Sequence, residues 1–460
     1  MSQSKFSNLR LSADLLGNLE TLGYEAMTPI QAKALPFILE GHDLIGQAKT
    51  GSGKTAAFAL GLLSSLKPEQ YLVQSLVLCP TRELADQVAK QIRKLARAIP
   101  NIKVLTLCGG VPMGPQIGSL ESGAHIVVGT PGRIEDHLRR GRLNLKKVNT
   151  LVLDEADRML EMGFQDTLEK IIEQVPKGRQ TLLFSATYPK EIKSIAKRFM
   201  NEPELVQLES SHDDSSIQQH FYQIETKEQR FDALCILLLE HNPQSSLIFC
   251  NTKREAQELA DKLKQKNFSV AALHGDLDQR DRDQTLIRFS NKSVAVLVAT
   301  DVAARGLDID SVDAVINYHI AQENEVHTHR IGRTGRAGAA GCAYALYNSK
   351  EQYKVAQLGL YLDRDILPEQ LPSRVLLNKI PTQAAMATLK IDGGKKQKIR
   401  PGDILGALTG ENGIAGSEVG KIDIGENWSY VAVSRDKTKA ALRKLGEGKL
   451  KGKSFRVRRL

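Results

Sequence analysis

Cysteine is scarce and poorly placed for cross-linking. The five in 460 residues, Cys79, Cys108, Cys235, Cys250 and Cys342, are odd in number and scattered without a CxxC pair, so neither a disulfide framework nor a zinc site is indicated. They read as reduced thiols with no disulfide partner. Long apolar runs are also missing. None reaches the roughly 18 residues that a membrane-spanning helix needs, and the opening ten residues lack the apolar core of a signal peptide. The expectation is a soluble, cytoplasmic protein with no membrane partner. Repeats of short period and low-complexity tracts are absent, and 41% hydrophobic with 25% charged residues excludes collagen-like or wholly disordered chains. At roughly 150 residues per domain, this length predicts about three domains.

A surplus of one charge sign is nearly absent from most of the chain. Residues 386–460 carry 17 Lys and Arg against 8 Asp and Glu, so all but one unit of the net +10 falls in the last 75 residues. Such a concentration suits a solvated face or, beside phosphate-handling motifs, a nucleic-acid-binding module.

Short apolar runs ending in Gly, Thr or Asp alternate with amphipathic stretches over the first 350 residues, the pattern of parallel α/β layers. Strands are expected at Asp43–Ile45, Ser75–Cys79, Val104–Leu107, His125–Val128, Thr150–Leu153 and Thr181–Phe184, then at Leu247–Cys250, Val270–Leu273, Val294–Val298, Ala314–Tyr318 and Ala343–Leu346. Leu84, Val88, Ile92 and Leu95 place a helical stripe between the second and third. The polar run Glu209–Ser216 interrupts this alternation. The predicted organisation is a first lobe over 1–208, a linker over 209–216, a second lobe over 217–371, a linker over 372–385 and a basic domain over 386–460.

After the first strand comes Gln47-Ala48-Lys49-Thr50-Gly51-Ser52-Gly53-Lys54-Thr55, followed by a helical stretch. Gly51 and Gly53 let backbone N–H groups curl around a phosphate, Lys54 reaches the β- and γ-phosphates, and Thr55 can ligate Mg²⁺. Ala48 stands where glycine is usual. About a hundred residues on, a buried strand runs into Asp154-Glu155-Ala156-Asp157. There Asp154 would hold Mg²⁺ and Glu155 would orient the attacking water. Acidic clusters also occur simply as helix N-terminal charges, and the Lys54 loop favours the catalytic reading.

The string Asp154-Glu155-Ala156-Asp157 resembles the signature of the DEAD-box RNA helicases, and the likeness runs from Phe6 to about Asn348. It implies two tandem RecA-like parallel-sheet lobes, with ATP and Mg²⁺ as cofactors and RNA as partner. Phe6 and Tyr24, with Thr28 and Gln31, look like the adenine-reading motif. Pro80-Thr81-Arg82, Gly109-Gly110 and Thr130-Pro131-Gly132-Arg133 resemble the segments that grip one RNA strand, although each alone also suits a turn or cap. Ser185-Ala186-Thr187 resembles the segment that couples ATP state to RNA. In the second lobe the resemblance implies RNA contacts by Arg282 and Thr300, a ribose contact by Asp308 and coupling through Arg305 and His329. Arg333 and Arg336 would be arginine fingers, worth roughly 10³–10⁵ in rate. Half of the ATPase machinery is thereby implied on each lobe.

From Ala387 onward the order βαββαβ suits a small RRM-like α+β domain. Trp428 and Tyr430 alternate along a strand and share a face, where aromatics can stack on bases or simply fill a core. Lys390 stands where a companion aromatic is usual. This tail resembles the C-terminal domain of one bacterial branch of the same helicases, through the runs Lys390–Gly410 and Lys451–Leu460. That likeness implies targeting to a 23S rRNA hairpin near the peptidyl-transferase centre and work on pre-50S particles in large-subunit assembly. Lys395, Lys396, Lys398, Arg400, Lys449, Lys451, Lys453, Arg456, Arg458 and Arg459 are the expected phosphate contacts. The expected function is an RNA-dependent ATPase and helicase that unwinds short duplexes. An ATP-gated RNA clamp without essential unwinding is the alternative.

Overall fold

The computed structural model describes residues 5–48, 51–188, 190–208, 217–304, 312–335 and 341–460. The chain divides into two compact units near position 212. Among the described residues the first unit holds a seven-stranded sheet, and every pairing in it is parallel. Its strands are β1 (Leu44–Gln47), β2 (Ser75–Leu78), β3 (Val104–Leu107), β4 (Ile126–Gly129), β5 (Thr150–Asp154), β6 (Gln180–Ser185) and β7 (Glu204–Gln207). They lie in the order β3-β4-β2-β5-β6-β1-β7.

Both faces are buried, as a parallel sheet requires. Val77, Val152, Leu182 and Phe184 pack on one side, against the helices Lys54–Ser64 and Arg82–Leu95. Their strand neighbours Leu76, Leu78, Leu151, Leu153 and Leu183 pack on the other. The helix Arg82–Leu95 buries the expected stripe of Leu84, Val88, Ile92 and Leu95, and the Thr81 hydroxyl caps it by accepting from Leu84 N at 3.3 Å.

The second unit contains a six-stranded sheet, again parallel at each pairing, in the order β10-β11-β9-β12-β13-β8. Its members are β8 (Ile217–Gln223), β9 (Ser246–Cys250), β10 (Val270–Leu273), β11 (Val296–Thr300), β12 (Ala314–Asn317) and β13 (Gly341–Tyr347). The sequence pattern did not predict β7 and β8, and both are edge strands. An edge strand needs little apolar surface: β7 buries Val206 alone, and β8 reads IQQHFYQ with Phe221 and Tyr222 buried.

The unit continues into β14 (Met386–Ile391), β15 (Val419–Ile424), β16 (Ser429–Ser434) and β17 (Val457–Arg459), an antiparallel sheet in the order β15-β16-β14-β17. Helices Pro401–Thr409 and Thr438–Glu447 complete the expected βαββαβ order. Leu389, Ile391, Val431 and Val433 meet Ile404, Leu408, Ala441 and Leu445 on the inner face.

The outer face is covered as well. Thr388, Lys390, Tyr430 and Ala432 are each under 5% exposed. Thr388 Oγ1 bonds Asn291 Nδ2 at 2.9 Å and the Ser293 hydroxyl, and Lys421 Nζ donates to Ser290 Oγ at 2.6 Å. The lobe and the basic module are therefore packed together in one compact unit. The connection over 372–385 is anchored rather than free: Leu377 packs on the lobe core, and Arg374 reaches Asp232 at 2.6 Å. The first expected linker, 209–216, lies outside the described residues.

Candidate nucleotide site and nucleic-acid interface

In the first unit the sequence motifs converge on one edge of the sheet. The Lys54 loop follows β1, the Arg82 segment β2, Gly109-Gly110 β3 and Thr130–Arg133 β4; the acidic run ends β5, and Ser185–Thr187 ends β6. All are carboxyl ends of parallel strands, where such sheets bind ligands.

Gly53 is left-handed at φ +96°, and a Cβ there would lie 2.6 Å from Gln31 Nε2 and 2.8 Å from Thr28 Oγ1. Gln31 donates Nε2 to Gly53 O at 3.1 Å, while its Oε1 accepts the Thr28 N–H at 2.9 Å. The expected adenine-reading pair is thus tied to the expected phosphate loop. Lys54 is buried and donates to Ala48 O at 2.6 Å. Gln47 Nε2 reaches Ala186 O at 3.4 Å. The hydroxyls of Thr28 and Ser52 are buried without a hydrogen-bond partner, polar atoms left for something other than protein. Phe6 and Tyr24 meet edge to face at 6.1 Å, and Phe6 is itself buried. Lys49 and Thr50 lie outside the described residues.

Asp154 is buried, and its carboxyl is pushed up to about 7 by that burial, with Lys54 pulling downward and Glu155 adding to the rise. Glu155 follows at φ +51°, its N–H 3.1 Å from Asp154 Oδ1. Asp157 accepts from Ala186 N at 3.2 Å, Thr187 N at 3.0 Å and Thr187 Oγ1 at 3.0 Å. Burial would raise it, but the Thr187 amide and the Arg158 charge hold it below the usual carboxylate range. The acidic run and the Ser185-Ala186-Thr187 segment are therefore one hydrogen-bonded body.

Among the described residues no group of three or more His, Cys, Asp or Glu side chains is placed to hold a metal ion. The Thr55 hydroxyl and the Asp154 carboxylate nonetheless fit Mg²⁺, which takes one or two protein oxygens and completes its shell with phosphate and water. A carboxyl that burial pushes up, even with Lys54 beside it, regains its charge next to a bound cation.

Arg82 lies over the glycine pair, since a Cβ on Gly110 would collide with its guanidinium. Pro80, Thr81 and Pro131 are buried, whereas Gly110 and Gly132 are exposed. Arg133 donates Nη1 to Gln116 Oε1 at 2.9 Å and Nη2 to Val111 O at 3.1 Å, and Thr130 N reaches Leu107 O at 3.2 Å. Gln116 was not expected: buried, it donates to Cys108 O at 2.9 Å and lies 2.9 Å from His137 Nε2, stitching the β3 and β4 loops together. Nothing in its helix pattern marks it.

In the second unit Thr300 ends β11 half-buried, and Arg282 Nη2 donates to Ala303 O at 2.9 Å. His329 is half-buried in the helix Asn324–Ile331, while Arg333 is buried and its carbonyl accepts from Val312 N at 3.0 Å. Arg305, Asp308 and Arg336 lie outside the described residues. The arginine that motif reading passed over is Arg330. Fully buried, it makes a fork with Asp301 at 2.7 Å twice and donates to Asn317 Oδ1 at 3.0 Å.

In the basic module three loops meet. Lys395 N bonds Gly425 O at 2.9 Å, Lys396 N bonds Glu426 O at 3.0 Å, and Asp392 N bonds Arg456 O at 3.0 Å. Exposed Lys395, Lys396, Trp428 and Arg456 are thereby gathered at one end of the sheet. Lys398, Arg400, Lys451 and Lys453 are also exposed, and Lys451 lies 3.4 Å from Asp403.

Tyr430 departs from the expectation of a shared aromatic platform. It is 3% exposed against 36% for Trp428. Its phenol is pushed up to about 12 by burial and by Asp283 of the lobe helix Gln279–Ser290. Lys390 lies between the two rings, its Nζ 5.2 Å from the Trp428 centroid and 6.0 Å from that of Tyr430. In register, Lys390 faces Tyr430 on one side and Arg458 on the other. Sequence alternation gave the face correctly but could not show that the lobe covers it.

Family models match in three places: DEAD/DEAH box helicase over residues 28–195, helicase conserved C-terminal domain over 229–338, and DbpA RNA binding domain over 388–459. The chain is 51% identical over 445 residues to the ATP-dependent RNA helicase DbpA of Escherichia coli, covering 97% of each. It is 46% identical to the DEAD-box ATP-dependent RNA helicase CshA of Geobacillus kaustophilus, covering 72% of this chain and 70% of that one. Among solved structures, Saccharomyces cerevisiae Dbp5 bound to RNA and ADP BeF3 is similar with a TM-score of 0.72 at 31% identity, covering 82% of this chain and all of that one. A phosphate loop, an acidic run and a basic RNA-binding module matched along nearly the whole length place the chain in the DEAD-box RNA helicases, enzymes that hydrolyse ATP.

Proposed function

We propose that this ATP-hydrolysing helicase opens short duplexes in ribosomal RNA, that its C-terminal module directs it to a 23S rRNA hairpin, and that it serves large-subunit assembly in the cytoplasm. The observation that carries the enzymatic half is the Asp157 carboxylate, which holds Ala186 and Thr187 at 3.0–3.2 Å and so joins the acidic run to the coupling segment. What supports the targeting half is the gathering of Lys395, Lys396, Trp428 and Arg456 at one end of a module matched by the DbpA RNA binding domain.

In this reading Lys54 binds the β- and γ-phosphates, and Gln31 with Thr28 reads the adenine beside them. Glu155 orients the attacking water. Thr55 and Asp154 would hold Mg²⁺, which supplies charge neutralisation on the phosphates when bound. Arg333 and Arg336 are the second unit's guanidiniums for the terminal phosphate. Arg82, Arg133, Arg282 and Thr300 take backbone phosphates of the RNA.

ATPase rate against a panel of rRNA fragments, with strand displacement measured on the same duplexes, tests this. The expected result is preferential stimulation by fragments carrying the 23S hairpin, together with ATP-dependent displacement. Equal stimulation by every fragment would remove the targeting claim, and stimulation without displacement would leave an ATP-gated clamp.

A further inference from the structure

The second compact unit holds a cavity of about 150 Å³ at the seam between the lobe and the C-terminal module. Its wall carries Lys264 and Arg288 from the lobe and Arg435, Arg459 and Leu460 from the module, with Ser293 and Thr388 between them and no Asp or Glu side chain. Arg288 Nε is buried with no hydrogen-bond partner. Arg435 is fixed by donating Nε to Ala384 O at 2.6 Å. Burial and then the charge of Arg459 lower the pKa of both Arg288 and Arg435, and no Asp or Glu side chain offsets either.

Three guanidiniums around a partly enclosed space repel one another, and the screening that makes surface repulsion small is reduced there. An oxyanion among them reverses the sign of that interaction and gives Arg288 Nε the acceptor it lacks. A phosphate group suits the planar forks of arginine, and the space is ample, since a water needs only about 10–15 Å³ of the same measure.

We propose that this cavity binds a phosphate-class oxyanion, held by Arg288, Arg435 and Arg459 with Lys264 beside them. Because the lobe supplies Arg288 and the module supplies Arg435 and Arg459, the bound anion ties the two together across the Asn291–Thr388 contact. The anion comes either from an RNA backbone or from a free phosphoanion, and the cavity's charge stands whether or not the 23S hairpin is the module's target.

The test uses the full chain in a K54A background, so that the nucleotide loop contributes equally in every sample. Parent and an R288Q/R459Q variant are compared in two arms. Thermal unfolding, followed through Trp428, the chain's one tryptophan, is measured against inorganic pyrophosphate. Affinity for a single-stranded RNA oligonucleotide is measured against salt. A flatter salt dependence in the variant, by about 0.7 in log–log slope for each RNA phosphate that the cavity no longer neutralises, assigns the site to RNA. An unchanged slope with loss of the pyrophosphate-induced rise in midpoint assigns it to a free phosphoanion. A slope and a midpoint rise both equal to the parent's overturn the site. R459Q alone, at an exposed residue, carries the same comparison if the double variant does not fold.

Discussion

At the strand ends of the first sheet, Lys54 and Asp154 are both buried; the ammonium is given to the Ala48 carbonyl at 2.6 Å, and the carboxyl is pushed up to about 7 by burial. At the corresponding ends of the second sheet, buried charge is neutralised within the protein. Arg330 forks onto Asp301 at 2.7 Å, and Arg230 reaches Glu351 at 2.7 Å, with His319 2.6 Å from Glu255 beside it. The first arrangement is unfinished without a ligand's charge; the second is finished scaffold. A buried charge that is not paired marks chemistry, whereas one that is forked onto a partner marks positioning.

The contrast is broken most directly by Lys54→Ala. ATP hydrolysis should fall at least about 100-fold, the scale on which preorganised phosphate contacts act, while RNA binding by the C-terminal module stays within twofold. Equal loss of both functions, read by ATPase assay and RNA titration, would show that the two sites are not separable.

Glu351→Ala is the matching change in the finished scaffold. It leaves the Arg230 guanidinium buried without its carboxylate, at a cost of about 3–5 kcal/mol to the second unit in urea unfolding. Glu351 also gives a pH signature. Burial would raise it, but His319 and Arg230 hold it at about 2 against an ordinary 4.5. A carboxyl depressed on folding stabilises above its ordinary value, so this contribution is present above about pH 4.5 and drains away as pH falls towards 2. His319 runs the other way: burial lowers it, but its bonds to Glu255 and Glu351 outweigh that and raise it, so its share is lost as pH rises beyond the ordinary 6.5. A variant as stable as the parent would mean that the network is ornamental.

The unfinished site was legible because its chemistry is local. Gly51, Gly53, Lys54 and Thr55 sit within five residues, Asp154 to Asp157 within four, and buried strands before each carry a clear apolar pattern. The finished scaffold was not legible, because its pairs join distant residues. Nothing local separates Arg330, which is buried on Asp301, from Arg333 three positions later, and Arg230 finds Glu351 across 121 positions. The edge strands β7 and β8 escaped for a related reason: what fixes them is a neighbouring strand and not their own hydrophobicity. Tyr430 shows the limit from the other side. Alternation along β16 identified its face, but whether a sheet face meets water or another element is a tertiary fact.

That limit makes the two aromatics of the basic module a sharper probe. Trp428→Ala should weaken RNA binding by about 1–3 kcal/mol, the worth of one base stacked on an aromatic. Tyr430→Phe keeps the buried ring and should leave affinity unchanged. RNA titration of both variants distinguishes a single exposed aromatic from a shared platform. Comparable losses would mean that the lobe releases the outer face when RNA binds.

The smallest expected effect concerns the contact that covers that face. Thr388→Val keeps the shape of the side chain and removes the hydroxyl that bonds Asn291 at 2.9 Å and meets Ser293. Asn291 is then left partly unsatisfied in a buried place, which costs about 1 kcal/mol. Thr388→Ser keeps the hydroxyl and should retain most of that stability. The inner core of Leu389, Val431 and Leu445 is untouched by either change, so a difference between them reports the seam and not the module's own fold. Trp428 fluorescence during urea unfolding reads it. If valine and serine behave alike, the lobe does not hold the outer face in solution. Lys390, Tyr430 and Arg458 would then form an open, cationic, aromatic surface, and the division between one exposed ring and one buried ring would fail with it.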